Sequence, residues 1–382
     1  MTTTRRQAEY LASRGDRVTV VSADHPEGWK GVDHLYAPHI DGHLWLALEY
    51  LAEGISHRIL RRWPRWSLSG FFDKYRFPHS AARVIADAQS TWSFDGFVCS
   101  QHFCAMGLAV RGLPFVLVAH GDIFEHPPSA FTAAVEAFYR RAALVSYRAA
   151  CHVVTVSRSL RSRAIACGAE DNCVTVIPNG IGKEDLSERG GAWLGSGTGE
   201  RVADLELLFV GRLAAEKAVD IALRAVSQLP RAAYRLRIVG NGPELGRLVD
   251  LAQELGISDY LQFLGYQPRH ALLHYYDTAD IVLLPSLTEA HPLTLLECQL
   301  LGVPAIASCV GGVRDVITHG WNGLLVSPGN VQELSDAIFA LWRNPTLRLE
   351  MSLHARQNAT DFSWANLLET FRKVLHLSFD KI

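Results

Sequence analysis

Cysteine is scarce in this chain, and the few cysteines show no spacing that is associated with metals or redox chemistry. The 382 residues include seven cysteines, an odd number, without a single C-x-x-C pair. Most of them lie in apolar runs, which is typical of reduced thiols in a hydrophobic core. A secreted protein held together by disulfides is therefore not expected, and the cysteines favour a cytoplasmic compartment.

Other motifs that hold metal ions are lacking as well. The chain contains no Asp-x-Asp pair, and its histidines and cysteines form no cluster with the spacing of metal ligands. Nothing in the sequence requires a bound metal, and we expect the protein to work without a metal or a cofactor.

Long apolar runs and an excess of charge are also absent. No stretch of about 18 apolar residues occurs, and residues 1–15 lack the apolar core of a signal peptide, so neither a membrane span nor secretion is expected. Lysines and arginines number 37, against 39 aspartates and glutamates. This balance provides no general attraction to nucleic acid, which we do not expect as a partner.

What the sequence does contain is a regular alternation of strand and helix patterns. Short apolar runs rich in β-branched residues alternate with helical segments, as in parallel sheets covered by helices. The chain is long enough for two such domains, and residues 183–200, rich in glycine, serine and glutamate, are the linker candidate. We predict an α/β fold with two Rossmann-like, doubly wound parallel-sheet domains, 1–182 and 201–360, that border a cleft, and a closing helix within 361–382.

The first half begins unusually. A helical pattern over residues 5–15 precedes the first strand candidate, residues 17–23. A doubly wound domain normally opens with a strand whose glycine-rich turn leads into that helix. The opening strand is therefore predicted to be absent from this sequence, and an upstream start, a truncation and a subgroup that works without the strand are all open.

Residues 289–297, EAHPLTLLE, place an acid at each end of a mostly apolar stretch. Since proline favours the first turn of a helix, we predict a helix that begins near His291 or Pro292, with Glu289 in the preceding loop and Glu297 inside the helix. Amides at such a helix start suit an anionic or hydroxyl-rich ligand, and the carboxylates can accept sugar and ribose hydroxyls. Alternatively, Glu289 merely complements the helix dipole and Glu297 faces solvent, which the spacing alone favours.

Three more turns follow strands of the second half. FVGRLAAEK places Arg212 and Lys217 where a guanidinium fork and a point charge suit a diphosphate. IVGNGPE and SCVGGVRDVI supply glycines that would let the backbone approach a flat base or an anion. Each turn alone is open to an architectural interpretation, such as a solvated pair between Lys217 and Glu216. Four such features at successive strand ends favour a ligand site.

The order of these motifs resembles the retaining GT-B glycosyltransferases of family 4, also called group 1, from about residue 205 to residue 375. The resemblance implies that Arg212 and Lys217 hold the diphosphate of a nucleotide-sugar donor, while Glu289 contacts its sugar and Glu297 its ribose. Ala218 stands where the family usually has glycine, and little effect is expected. The donor-binding residues implied by the resemblance are Gly211, Arg212, Lys217, Gly240, Asn241, Gly242, Gly265, Glu289, Ala290, His291, Pro292, Leu293, Thr294 and Glu297.

The first half matches the family more loosely, through CSQHF, VLVAHGDI and VTVIPNGI. The resemblance implies that His120 lies beside the anomeric carbon of the donor sugar. It places His102, Gly121 and Asp122 on the acceptor side. Without the resemblance, a histidine that follows a strand is more often a polar cap of the sheet.

The reaction is implied by the same resemblance. A hexosyl unit would pass from a nucleotide sugar to a hydroxyl of an acceptor with retention of configuration, and a phosphate oxygen would take the proton. As the donor we favour a UDP-sugar over a GDP-sugar. The residues implied in catalysis are His120, Arg212, Lys217 and Glu289. The acceptor stays open between a small natural product, such as an aminocyclitol, and a cell-envelope glycan or lipid. A nucleotide-sugar epimerase, a phosphorylase-like enzyme and a non-catalytic nucleotide-sugar-binding protein are the alternatives.

Residues 58–77, RILRRWPRWSLSGFFDKYRF, combine six basic residues and six aromatics with one acid. Such a composition fits peripheral contact with an anionic membrane at the cytoplasmic face, which would suit a lipid-linked acceptor. A helix pair and loop beside the acceptor cleft is favoured instead, because Pro64 and Gly70 interrupt any long amphipathic helix.

Overall fold

The computed structural model describes residues 3–16, 19–22, 33–36, 96–100, 102–121, 132–182, 185, 205–230 and 233–379. The chain forms two compact units. The first comprises Met1–Thr155, Arg161–Ile177 and Leu368–Ile382, and the second comprises Val156–Leu160 and Pro178–Leu367. Residues 58–77, Asp122 and residues 183, 184 and 186–200 of the predicted linker lie outside the described residues.

The first unit contains a four-stranded parallel sheet in the order β3-β4-β5-β6 and a separate parallel pair, β1-β2. Its strands are β1 (Thr19–Ser22), β2 (Asp33–Tyr36), β3 (Phe97–Cys99), β4 (Phe115–Ala119), β5 (His152–Thr155) and β6 (Val174–Val176). The strand β4 is buried at all five positions, as expected of an apolar strand that is covered on both faces. The helix α1 (Thr3–Ser13) precedes β1, and the helices α2 (His102–Ala109), α3 (Thr132–Ala149) and α4 (Arg158–Ala166) follow β3, β4 and β5 in turn.

The second unit is built on a six-stranded parallel sheet in the order β12-β11-β10-β7-β8-β9. Its strands are β7 (Leu205–Val210), β8 (Tyr234–Val239), β9 (Leu261–Gly265), β10 (Ile281–Leu284), β11 (Ala305–Ser308) and β12 (Gly323–Val326). This is the Rossmann strand order, which reverses between the adjacent parallel strands β7 and β10. The predicted α/β fold with parallel sheets is confirmed.

Helices cover both faces of this sheet. They are α5 (Val219–Val226), α6 (Leu245–Glu254), α7 (Arg269–Asp277), α8 (Leu293–Leu301), α9 (Val313–Val316), α10 (Val331–Arg343) and α11 (Pro345–Ala359). Two apolar clusters, one on each face, form the core: one packs Leu207 and Phe209 of β7 against α5 and α10, and the other packs Leu208 against α8. Alternate residues of β7 therefore serve opposite faces.

The predicted closing helix is present as α12 (Trp364–Phe379). It buries Leu368, Phe371 and Leu375, three of the apolar positions that give it one hydrophobic face. In the first unit, α1 precedes β1 in the predicted order and is tied to α12, because the Tyr10 hydroxyl donates to Glu369 at 2.6 Å. Within the described ranges, none of the helices combines the length and the apolar character of a membrane span.

Candidate functional site

The candidate site lies at the carboxyl ends of β7 and β10, the point where the strand order of the second sheet reverses. Open parallel sheets bind ligands outside the carboxyl ends of their strands at such a reversal. Arg212 and Lys217 follow β7, and Glu289 follows β10. The register that pairs Ile281 with Leu207 sets the two strands side by side, so residues that are 72 positions apart in the chain meet at one edge.

Lys217 and Glu289 form an ion pair at this edge. The ammonium Nζ of Lys217 lies 2.7 Å from Oε1 of Glu289, and the Ser286 hydroxyl donates to the same oxygen at 2.7 Å. The Glu289 side chain is 8% exposed and that of Lys217 is 23% exposed. A partly desolvated cation thus stands beside a buried acceptor, which suits a ligand that carries both phosphate and hydroxyl groups.

Arg212 has a different acid as its partner. Its guanidinium donates to Oε1 of Glu216, four residues along the chain, while its side chain remains 62% exposed. The backbone carbonyl of Glu216 accepts a hydrogen bond from the amide of Leu287 at 2.8 Å, which joins the loop after β7 to the loop after β10. The interpretation that pairs Lys217 with Glu216 is therefore wrong: Glu216 serves Arg212, and Lys217 reaches across to Glu289.

The glycines after β8 allow two loops to approach each other. A Cβ at Gly240 would overlap the carbonyl oxygen of Gly211, and one at Gly242 would overlap that of Leu213. Gly240 has φ +137°, and its amide donates at 2.8 Å to the carbonyl of Gly265, which has φ +64°. Packing between loops therefore accounts for these glycines, and their contact with a base stays a prediction.

The Gly-Gly pair after β11 acts in the same way on the loop after β10. Cβ atoms at Gly311 and Gly312 would overlap the carbonyl oxygens of Glu289 and Ala290, respectively. The amide of Gly312 donates to the carbonyl of Glu289 at 3.0 Å. The backbone that carries Glu289 is thus fixed by its neighbour, and a side chain at either glycine would displace it.

The helix predicted near His291 or Pro292 begins at Leu293, with Pro292 as its extended cap residue at φ −73° and ψ 119°. Thr294 in the first turn donates its hydroxyl to the carbonyl of Val210 at the end of β7, at 3.1 Å. Leu293 is 38% exposed. The start of α8 is therefore anchored to β7, with its first residue on the surface.

His291 lies in the interior. Its ring packs against Phe362 with centroids 5.6 Å apart, and its carbonyl accepts from the Asn179 side chain at 3.0 Å. Among the described residues, neither ring nitrogen has a hydrogen-bond partner. Burial lowers the pKa of His291 to about 4, so the ring is neutral at physiological pH.

Glu297 is buried and bound by two residues of α7. The Tyr276 hydroxyl donates to Oε2 at 2.8 Å, and the Arg269 guanidinium donates to Oε1 at 3.1 Å. Burial raises the pKa of Glu297, while the hydrogen bond from Tyr276 and the charge of Arg269 oppose that rise. The interpretation that Glu297 faces solvent is wrong, because the residue is only 6% exposed.

Sequence reasoning missed Arg269 and Tyr276, although a signal was present. Seven residues along an α-helix bring a side chain back to within about 20° of the same face. An arginine and a tyrosine at that separation, in the helix before β10, could have been proposed as partners of an acid in α8.

The candidate residues of the first unit lie at the ends of β3 and β4. His102 opens α2, where its ring packs edge-on against Tyr147 with centroids 4.7 Å apart, and burial lowers its pKa to about 4. His120 directly follows β4 and is half-buried, and Gly121 is exposed. Their predicted roles beside the donor sugar and the acceptor stay predictions.

Comparisons with known proteins cover both halves of the chain. A model described as Glycosyltransferase Family 4 matches residues 2–184, and one described as Glycosyl transferases group 1 matches residues 197–360. The chain belongs to the group 1 glycosyltransferases of family 4. The family resemblance inferred from the sequence motifs is therefore confirmed.

Among relatives of this chain, the D-inositol 3-phosphate glycosyltransferase of Nocardia farcinica is 35% identical over 243 residues, which is 58% of this chain and 52% of that protein. The protein of the same description from Frankia alni is 36% identical over 191 residues, 46% of this chain and 47% of the relative. The chain thus spans about half the length of these curated relatives. An uncharacterized glycosyltransferase of Methanocaldococcus jannaschii is 27% identical over 73% of this chain and 72% of its own length.

Solved structures match nearly the full length of this chain. Sucrose-phosphate synthase of Thermosynechococcus elongatus superposes with a TM-score of 0.79 at 18% identity, over 99% of this chain and 93% of that one. HepE of Anabaena, in complex with UDP, gives a TM-score of 0.71 at 17% identity, over 98% and 94% of the two chains. These likenesses establish the predicted GT-B fold.

Proposed function

We propose that this glycosyltransferase moves a hexosyl unit from a UDP-sugar to an acceptor hydroxyl with retention of the anomeric configuration. The observation that carries the proposal is the pairing of Lys217 with Glu289, beside Arg212, at the strand-order reversal of the second sheet. A cation for phosphate and an acceptor for hydroxyls, held 2.7 Å apart, match the two ends of a sugar–phosphate bond.

In the proposed reaction, the bond between the anomeric carbon and the diphosphate oxygen breaks, and a bond to the acceptor oxygen forms on the same face. The acceptor proton passes to a phosphate oxygen, so no protein base is assigned. Arg212 and Lys217 balance the charge that develops on the leaving diphosphate, where preorganised cations stabilise the transition state most. Glu289 accepts hydroxyls of the sugar, and the family resemblance assigns His120 a place beside the anomeric carbon.

The choice of UDP is supported by a neighbour of the same fold. HepE of Anabaena has been solved in complex with UDP and with UDP-glucose. Two acceptor classes remain within the proposal. Relatives described as D-inositol 3-phosphate glycosyltransferases favour a small cyclitol, and a fold neighbour described as a lipopolysaccharide outer core galactosyltransferase keeps a cell-envelope glycan or lipid open.

A calorimetric titration tests the donor assignment. The purified protein is titrated with UDP, GDP, UDP-glucose and GDP-mannose, each with and without EDTA. We expect binding of one UDP-sugar that EDTA leaves unchanged, since the charge of the diphosphate is met by side chains in the proposal. Loss of all binding on chelation would overturn the metal-independent mechanism.

Turnover of site variants tests the assigned roles. Turnover is measured with the donor that binds and a panel of cyclitol and glycan acceptors. We expect at least a 100-fold loss in each of Arg212→Ala, Lys217→Ala and Glu289→Ala, which is the order of loss seen when a transition-state contact is removed. The circular dichroism spectrum of each variant should match that of the wild type. Lys373→Ala, which removes an exposed lysine of α12, is the control. The proton–proton coupling at the anomeric position of the product reports retention. Full activity in all three variants would refute the assignment, and isomerisation of the donor without an acceptor would favour an epimerase.

A further inference from the structure

Within the part of the chain that the structure describes, each carboxylate oxygen of Glu297 accepts one hydrogen bond. Tyr276 donates to one oxygen at 2.8 Å and Arg269 to the other at 3.1 Å. Each oxygen of an ionised carboxylate can accept about two hydrogen bonds. One acceptor position therefore remains on each oxygen, and two adjacent acceptor positions match two vicinal hydroxyls.

We propose that Arg269 and Tyr276 are positioning residues that hold Glu297 ionised and oriented to accept both ribose hydroxyls of the nucleotide, and that Arg269 thereby makes the site selective for ribonucleotides. The inference rests on the proposed function, because it takes the bound nucleotide to be a donor with a ribose. It concerns two residues of α7 that contact the acid rather than the substrate.

The charges around Glu297 explain why Arg269 is needed. Burial disfavours the ionised form of the carboxyl. Asp185 adds a negative charge that raises the pKa of Glu297 further, and the adjacent Cys298 is buried with its thiol donating to the carbonyl of Leu295 at 3.2 Å. Among the described groups that act on Glu297, Arg269 supplies the positive charge.

Protonation of Glu297 would change what the site can recognise. A protonated carboxyl donates from one oxygen and loses part of its acceptor capacity. It would no longer offer matching acceptors to both hydroxyls of a ribose. Without Arg269, the pKa of Glu297 is expected to rise further, because the charge that opposes the effect of burial is gone. The affinity for the nucleotide would then fall as the pH falls.

Titration calorimetry with UDP and 2′-deoxy-UDP, from pH 5.5 to pH 8.5, tests the inference. For the wild type we expect the deoxy analogue to bind about tenfold more weakly at every pH, the usual effect of losing a hydrogen bond to a charged group. For Arg269→Leu, the ratio between the two ligands should fall to about two at pH 5.5 and recover as the pH rises. Arg269→Lys, which keeps the charge, should restore a constant ratio.

Two further variants keep the test decisive. Arg247→Leu removes an arginine that is paired with Glu244 on α6 and should leave both affinities unchanged. Tyr276→Phe keeps the buried ring and removes one donor, so it should weaken UDP binding about threefold or more, and it carries the test if Arg269→Leu does not fold. A folded Arg269→Leu protein with the ligand ratio of the wild type at every pH would overturn the inference. A wild-type protein that binds no UDP would instead overturn the proposed function.

Discussion

Glu216 is placed to weaken the binding of the donor that Arg212 is proposed to hold. Its carboxylate accepts from the Arg212 guanidinium, and the Arg212 side chain is 62% exposed while that of Glu216 is 19% exposed. A diphosphate that uses Arg212 must compete with this carboxylate and approach a like charge. Glu216→Gln, which keeps the size of the side chain and removes its charge, should therefore tighten UDP binding.

The size of the effect follows from the exposure of the pair. An exposed ion pair contributes about 0.2–1 kcal/mol. The repulsion between Glu216 and a phosphate across the guanidinium adds less than about 1 kcal/mol, since two charges about 4 Å apart in water interact by roughly that amount. A total of about 1 kcal/mol corresponds to a roughly fivefold lower dissociation constant for UDP.

Calorimetric titration of Glu216→Gln with UDP at low and moderate salt measures this. The gain should shrink as salt rises, because the interactions involved are exposed. Asp16→Asn is the matched control, since Asp16 is 23% exposed and pairs with Arg372 in the first unit. Unchanged or weaker UDP binding in Glu216→Gln, with its fold intact, would refute the reasoning that Glu216 competes with the ligand.

Two further predictions concern stability. Ala218 is the one described non-glycine residue with positive φ, +46°, so Ala218→Gly should relieve about 1–2 kcal/mol of backbone strain. Loss of the buried methyl, about 0.8 kcal/mol, and the added chain entropy, about 0.5–1 kcal/mol, offset that gain, so urea unfolding should show almost no change in stability. Ala340→Gly in the exposed face of α10 should instead cost about 1 kcal/mol, and an equal loss of stability in both variants would contradict the strain at Ala218. His291 has a folded pKa of about 4, below its ordinary value, so the unfolded state binds the extra proton and the free energy of unfolding should fall as pH drops from about 6.5 towards 4, by up to about 1.4 kcal/mol per pH unit. His291→Phe should flatten that slope in urea unfolding at pH 7.5 and 5, and an unchanged slope would refute the assignment.

Much of the fold and of the site's location followed from local patterns. The strands before each motif, and the helix that begins beside Pro292, were predictable because apolar runs and proline act locally. The partners of the charged residues were not. Whether Lys217 binds Glu216 or Glu289 depends on which strands lie side by side, and the sequence does not state the strand order. The glycines were predicted at the site, but the sequence could not show that they let neighbouring backbone segments approach one another.

The charges of the site balance when no donor is bound, and this has consequences for binding and release. Arg212 and Lys217 each have their own carboxylate, Glu216 and Glu289, so neither cation is left desolvated without a counter-charge. The two acids differ in what a donor would do to them. Glu289 is buried against Ser286. In the complex it is proposed to accept hydrogen bonds from sugar hydroxyls at the carboxylate oxygen that Lys217 does not hold. Glu216 is not proposed to contact the donor sugar, and its attraction for Arg212 is felt again as soon as the diphosphate departs. The carboxylate that is predicted to weaken UDP binding should therefore also speed the release of UDP after transfer, which is a benefit wherever product release limits turnover.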